Sequence, residues 1–304
     1  MAKFVGTDAG PAGAPQPPLV ELAVGPRLRP LGGLQVNRAW PTARRRSIGP
    51  FVFFDHLLPA ALPPGVGLDV PPHPHIGLAT VTYLFEGEFM HRDSLGHVQT
   101  IRPGELNWMT AGRGIVHSER TGDVERARSG SIHGIQAWVA LPTDLETCEP
   151  RFEHYAAPAL PVVDLSGARL RLIAGRAFGV ESPAATASPL FYAEAVLDSD
   201  ACMTLPADLG ERAVYTVHGQ VVIGGQAREP AQMLVIRDAF DAEIRALEPT
   251  RLMLLGGAPL AGERHIWWNF VSSSPARIEE AKRDWRDGRF ARVPGDHERM
   301  SAPE

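Results

Sequence analysis

Two short clusters constrain this chain more than anything else in it: His73-Pro74-His75, and further on Val116-His117-Ser118-Glu119. Each places metal-donor side chains at positions i and i+2. An extended strand turns such pairs to one side. If the two strands pair inside a barrel, three imidazoles and one carboxylate converge on a single point. Neutral imidazoles and a carboxylate suit a divalent transition metal, and an octahedral ion held this way keeps positions open for water, substrate or dioxygen. The clusters therefore ask for β-structure and for two strands that are neighbours in space.

The rest of the chain supplies the strands. From about Leu34 short apolar runs alternate with Gly, Pro, Asp and Asn. The runs Leu78 to Phe85, Ile135 to Leu141, Leu190 to Leu197, Ala213 to Val217, Gln220 to Ile223, Met233 to Ile236 and Arg251 to Leu255 all read as strands. His218-Gly219 and Gly224-Gly225 read as turns between them. Many short strands with turn signals predict an all-β sandwich or barrel. Pro142 to Pro161 is rich in Pro and polar residues and reads as a link between two β-domains. The second half repeats the strand rhythm without an H-x-H, so a duplicated fold with one metal-competent half is the simplest reading. The expected division is a flexible tail over residues 1–27, a metal-binding domain over 28–150 and a second domain over 151–304. That second domain ends in a helix at 275–288, with Ser274 as its cap, Pro275 at its first position and Gly288 at its stop. Ile278, Ala281 and Trp285 give this helix one apolar stripe to dock on a barrel.

Composition narrows the chemistry. The 304 residues carry a net charge of -5, which argues against an extended nucleic-acid-binding surface. Arg44-Arg45-Arg46 reads as a solvated turn. The two cysteines, Cys148 and Cys202, make no disulfide framework and are expected as small core residues. Only Lys3 and Lys282 are present, both expected outside any core, which removes buried-lysine chemistry. There is no G-x-S-x-G, H-E-x-x-H or G-x-G-x-x-G motif. Neither a membrane-length apolar run nor a signal segment is seen, so a cytoplasmic protein is expected; a monomer is expected as well.

Longer strings carry a resemblance. His73-Pro74-His75-x-Gly77, Thr82-Tyr83-x-x-Glu86-Gly87 and the run Pro103 to Glu119, with Trp108-Met109-Thr110-Ala111-Gly112-Arg113-Gly114-Ile115 at its centre, resemble the pirin family of the cupin superfamily. Gly49 to His56, His133-Gly134-Ile135-Gln136-x-Trp138-Val139 and Ile266 to Val271 are similar too. The likeness runs from about residue 28 to 298. It implies two tandem cupin (jelly-roll) barrels with a short C-terminal helix. The N-terminal barrel would hold a metal through His73, His75, His117 and Glu119, and the C-terminal barrel would hold none. The metal implied is most often iron(II); Ni, Co, Mn, Cu or Zn would also suit these donors. The family includes enzymes that resemble quercetin 2,3-dioxygenase, which open a flavonol with dioxygen and release carbon monoxide, and Glu119 would then serve as the base. It also includes proteins described as transcriptional co-regulators or partners of metabolic enzymes, so a non-catalytic, metal-dependent regulator is the alternative. One position departs: the family commonly has glutamate four residues after the second histidine, and here that residue is Ala79.

Other residues near the motifs have plainer readings. Phe53, Trp108 and Met109 are candidates to line a pocket for a flat aromatic substrate, although most such side chains are simply packed. His56 can approach the site or make a structural hydrogen bond. His133 reads as structural, and His91, His97, His154, His218, His265 and His297 as structural or surface residues. Arg113 is expected to brace the turn before His117.

Overall fold

The computed structural model describes residues 17–303. It is all-β apart from one helix of three turns, Pro275–Arg286, and a few shorter turns of helix. Two barrels follow one another, each made of a large and a small antiparallel sheet. In the first, seven strands run in the spatial order Arg151–Tyr155, Leu106–Thr110, Leu78–Glu86, Gly130–Ala140, Phe51–Leu62, Leu34–Trp40 and Leu28–Leu31. Facing them is a four-stranded sheet ordered Asp69–His75, Ile115–Arg120, Phe89–Asp93 and Val98–Ile101. The second barrel repeats the plan. Its large sheet is built around Glu211–His218, Thr250–Gly257, Leu190–Leu197 and Ala168–Ala177, and its small sheet around Ala242–Ala246 and Val221–Ile223. This is the bicupin architecture. No helix among the described residues is long and apolar enough to cross a membrane.

Alternation along the strands decides what each face does. Tyr83, Trp108 and Ile135 of the first large sheet share one apolar cluster with Tyr192, Tyr215 and Met253 of the second, so the two large sheets pack face to face. The second barrel's interior is a single apolar cluster that includes Leu170, Val214, Ile244 and Leu254. The first barrel's interior is broken into separate groups, around Leu57 and Phe89, around Phe53 and Trp138, and around Met109 and Ile115. The same strands bury Thr80, Thr82, Asn107, His117 and Glu119. A buried polar group must find a partner or a ligand. One barrel has a filled core and the other has given part of its core to a site.

Three boundaries differ from the expectation. Residues 1–16 of the expected tail lie outside the described residues, but Val20–Val24 is a strand paired with Met233–Ile236 of the second barrel. Its alternating Val20, Leu22 and Val24 give it an edge to fill. The expected link after residue 142 contains Arg151–Tyr155, which pairs with Leu106–Thr110 and completes the first barrel's large sheet. Finally, the chain after the second barrel returns to the first. Ile278, Ala281 and Trp285 do form the buried stripe of the helix, but with Phe270 of the same segment they pack on Ile76 and Val116 of the first barrel. Helix Pro275–Arg286 starts at Pro275 as expected, yet the Ser274 side chain makes no cap; its carbonyl accepts from Arg277 and Ile278. Cys202 is also not a core residue: on Cys202–Leu205 it alternates with buried Met203 and faces solvent, whereas Cys148 is half-buried.

This returning segment is clamped to the small sheet. Phe270 bridges Ile76, the Val271 amide donates to the Ile76 carbonyl (3.1 Å), and the Met300 amide donates to the Pro72 carbonyl (2.9 Å). Arg120 grips Asp296 through two hydrogen bonds of 2.8 and 3.0 Å. The buried carboxylate of Glu146 pairs with Arg264 (3.0 Å) and accepts from the Ser272 hydroxyl (2.9 Å). The segment thus forms a strap over the outer face of the strands that carry the histidines.

Candidate metal centre

Strands Asp69–His75 and Ile115–Arg120 pair antiparallel with His117 opposite His73 and Ile115 opposite His75. That register brings the three imidazoles together: ligand nitrogens of His73, His75 and His117 all lie within 4.8 Å of one another, and all three residues are buried. His75 Nε2 and His117 Nε2 are 3.1 Å apart. His73 Nδ1 lies 2.8 Å from the Pro71 carbonyl and must carry the hydrogen there, which leaves its Nε2 as a lone pair.

Burial keeps all three neutral. Desolvation lowers His73 to about 4, against the opposing hydrogen bond from its own ring to Pro71. It puts His75 well below the ordinary histidine value, helped by His73, and does the same to His117, helped by His73 and His75. At neutral pH the cluster therefore has no proton to shed before taking a cation. The Nε2 atoms of His75 and His117 face each other, and the bare Nε2 of His73 belongs to the same cluster. Three buried, neutral imidazoles whose nitrogens converge are a donor set that a transition ion satisfies and that an apolar core does not. The residues fit a metal.

Glu119 does not join this cluster. A register shift between His117 and Glu119 sets Glu119 opposite Val70, and its Oε1 accepts a 2.7 Å hydrogen bond from Gln136 Nε2 on the facing sheet. Desolvation pushes its carboxyl up to about 7, with the Gln136 bond opposing. Ala79, where the family commonly has glutamate, faces the other barrel in the inter-barrel cluster, so the departure lies outside the histidine-lined interior.

The pocket candidates separate. Phe53 stacks on Trp138 (centroids 3.9 Å apart, planes at 14°), and Trp138 meets His75 edge-on at 5.4 Å. Met109 packs with Ile115 and Phe152 on the inner side. Trp108 is corrected: one residue along the same strand, it points the opposite way into the contact between barrels. None of the five prominent cavities, of about 210 to 690 Å³, is lined by His73, His75 or His117. The three are only 6%, 1% and 1% exposed.

His56 turns away from the metal centre: its Nδ1 lies 2.9 Å from the Tyr215 hydroxyl and its Nε2 2.8 Å from His133 Nε2, a buried polar link between the barrels. Desolvation lowers both rings, His56 to about 3 and His133 to about 4. Arg113 braces its turn, with its amide on the Cys148 carbonyl and its guanidinium on Glu149. Asp93 escaped the sequence reading, which gave its neighbour His91 a structural or surface role. His91 lies 3.3 Å from His117, Nδ1 to Nδ1, and 3.1 Å through its Nε2 from the Oδ2 of Asp93, which is fully buried. His91-x-Asp93 is a third i, i+2 pair, on the strand next to Ile115–Arg120, and that spacing was the available signal.

Comparison with known proteins agrees with this geometry. The family profile described as Pirin matches residues 33–139, and the one described as Pirin C-terminal cupin domain matches residues 192–291. The chain belongs to the pirin family. A pirin-like protein of Caulobacter vibrioides is 48% identical over 282 residues, covering 92% of this chain and 97% of that one. A solved quercetin 2,3-dioxygenase from Acinetobacter baumannii superposes with a TM-score of 0.87 at 35% identity, covering 93% of this pirin and 95% of that chain. A second structure of that name from the same organism gives a TM-score of 0.85 at 28% identity, covering 90% and 98%. These matches span nearly the whole pirin, so the strap and both barrels belong to the shared architecture.

Proposed function

We propose that this pirin is a metal-dependent dioxygenase that opens flavonols such as quercetin with release of carbon monoxide. The observation that carries the reading is the buried, neutral trio His73, His75 and His117 with an ionisable carboxyl two residues further along the same strand. Its closeness to proteins bearing the quercetin 2,3-dioxygenase name supports the substrate class. The three histidines would hold the ion, iron(II) in the first instance, with Glu119 as a fourth donor once it leaves Gln136. When bound, such an ion supplies Lewis acidity and one-electron chemistry with dioxygen. Glu119 would take the substrate's hydroxyl proton as its carboxylate loosens from the ion. Phe53, Trp138 and Met109 offer apolar walls, and the Phe53–Trp138 stack must part to admit a flat ring. Protein loaded anaerobically with iron(II), then given quercetin in air, should consume dioxygen and release carbon monoxide in equal amounts. Fully metallated protein that yields no carbon monoxide would end this reading.

The closed interior favours a second reading, in which the metal sets the state of a surface for a protein partner such as a transcription factor or a metabolic enzyme. Binding that responds to the metal, in protein with no flavonol turnover, would establish it.

The role of Glu119 has its own test. If its carboxyl must shed a proton to bind the ion, nickel(II) affinity falls as pH drops through its raised value, by about tenfold per unit. The histidines, neutral well below pH 7, add no slope there. Glu119→Gln should flatten the profile between about pH 5.5 and 7. Equal slopes in the two proteins would remove Glu119 from the ligand set.

A further inference from the structure

The small sheet carries a hydrogen-bonded chain that leads from the third histidine to a buried carboxylate. Asp93 Oδ1 accepts the backbone amides of Leu95 (2.9 Å) and His97 (3.1 Å), and those groups can only donate. The His97 ring Nδ1 lies 3.0 Å from Oδ2 and 3.1 Å from Oδ1. Asp93 is wholly buried, and this ring of donors holds it as a carboxylate, an acceptor at every lone pair. His91 Nε2, 3.1 Å from Oδ2, must therefore carry a hydrogen. A neutral imidazole has one N–H, so His91 Nδ1 is a bare lone pair. It faces His117 Nδ1 at 3.3 Å, which must be the donor. The His117 hydrogen is then on Nδ1, and its Nε2 lone pair is turned to His75 Nε2 at 3.1 Å. Phe152 stacks on His91 at 4.3 Å with planes 13° apart and fixes the ring that transmits the choice.

We propose that Asp93 and His91 are positioning residues of the metal centre: the carboxylate, acting through His91, sets the tautomer of His117 and presents its Nε2 lone pair to the ion. The proposal rests on the metal-centre reading above. A carboxylate or carbonyl behind a ligand histidine commonly does this over one hydrogen bond. Here a second imidazole extends the reach, and every link comes from one pair of adjacent strands.

Asp93→Asn tests it with little change of shape. The amide oxygen is needed by the Leu95 and His97 amides, so the new NH2 faces His91 Nε2 and donates to it. His91 then carries its hydrogen on Nδ1, and His117 must move its own to Nε2, where the lone pair was. Nitrogen-15 NMR of the metal-free protein reads this directly. The expected spectrum has His117 as the Nδ1–H form in the parent and the Nε2–H form in Asp93→Asn, with nickel(II) affinity about 10- to 100-fold weaker in the variant. A merely structural role would lower the melting temperature without inverting the tautomer. If Asp93→Asn folds too poorly, His91→Phe keeps the stack on Phe152, removes the acceptor, and should leave His117 as a mixture of forms with weakened nickel binding. A parent His117 protonated on Nε2 overturns the proposal, as do an unchanged tautomer and affinity in Asp93→Asn. A parent that shows the Nδ1–H form yet takes up no nickel supports the hydrogen-bond chain and sinks the metal reading alone.

Discussion

His117→Ala should leave the purified protein nearly free of metal, with nickel(II) or iron(II) affinity reduced by well over 100-fold, beyond the range seen when only a supporting residue behind a ligand is lost. His117 sits opposite His73 and 3.1 Å from His75, so it is the member that ties the two strands' donors together. What remains is an i, i+2 pair on one edge strand, with a carboxyl held by Gln136 on the opposite sheet. Because desolvation keeps His117 neutral, its removal takes no charge from the interior. The metal-free variant should therefore melt within a few degrees of the metal-free parent, with a modest cost for the cavity. Elemental analysis and calorimetric titration of both proteins check the pair of statements. A variant that retains one tightly bound ion would show that the histidine cluster is not the site. A variant that fails to fold would move His117 from metal binding to architecture.

Much of this centre was legible because its grammar is local. An i, i+2 pair needs only a strand, and both pairs lie on strands whose pairing sets His117 opposite His73. The strands of both barrels follow from alternation and turn residues, and the Tyr83/Thr82 and Trp108/Met109 alternations fall where period two puts them. What stayed hidden depends on partners distant in sequence. Gln136 reaches Glu119 from the other sheet, and one register shift after His117 decides how that carboxyl is held. The strap's helix is legible from Pro275 and its apolar stripe, but nothing local says which barrel it covers. Val20–Val24 looks like part of a tail because its partner strand begins at Met233. Trp108 has the composition of a pocket wall and the parity of an interface residue. Parity, not composition, settles its place.

Gly77→Ala should cost about 2 to 4 kcal/mol of stability and loosen the strap, because two independent constraints meet at this residue. Its backbone is left-handed, with φ at +67°, which an alanine adopts at a cost of about 1 kcal/mol. A methyl there would also lie 2.0 Å from the Val271 carbonyl oxygen, so the strap must shift to make room. Gly77 directly follows His75-Ile76, and the displaced contact is the one in which Val271 donates to Ile76 at 3.1 Å. The glycine of the H-P-H-x-G string is thus required by the strap that covers the histidine strand, and loss of the strap should carry through to the metal centre. Gly65→Ala is the control: its φ is +86° but a methyl there meets nothing within 4 Å, so it bears the backbone cost alone. Thermal melts of the metal-free proteins should place Gly77→Ala several degrees below Gly65→Ala. Amide exchange at Val271 should accelerate only in the former, and exchange of a bound ion with chelator should quicken with it. Equal melting points and equal exchange at Val271 would mean that the strap yields freely, and that the close approach at Gly77 does not hold the cover over the histidines.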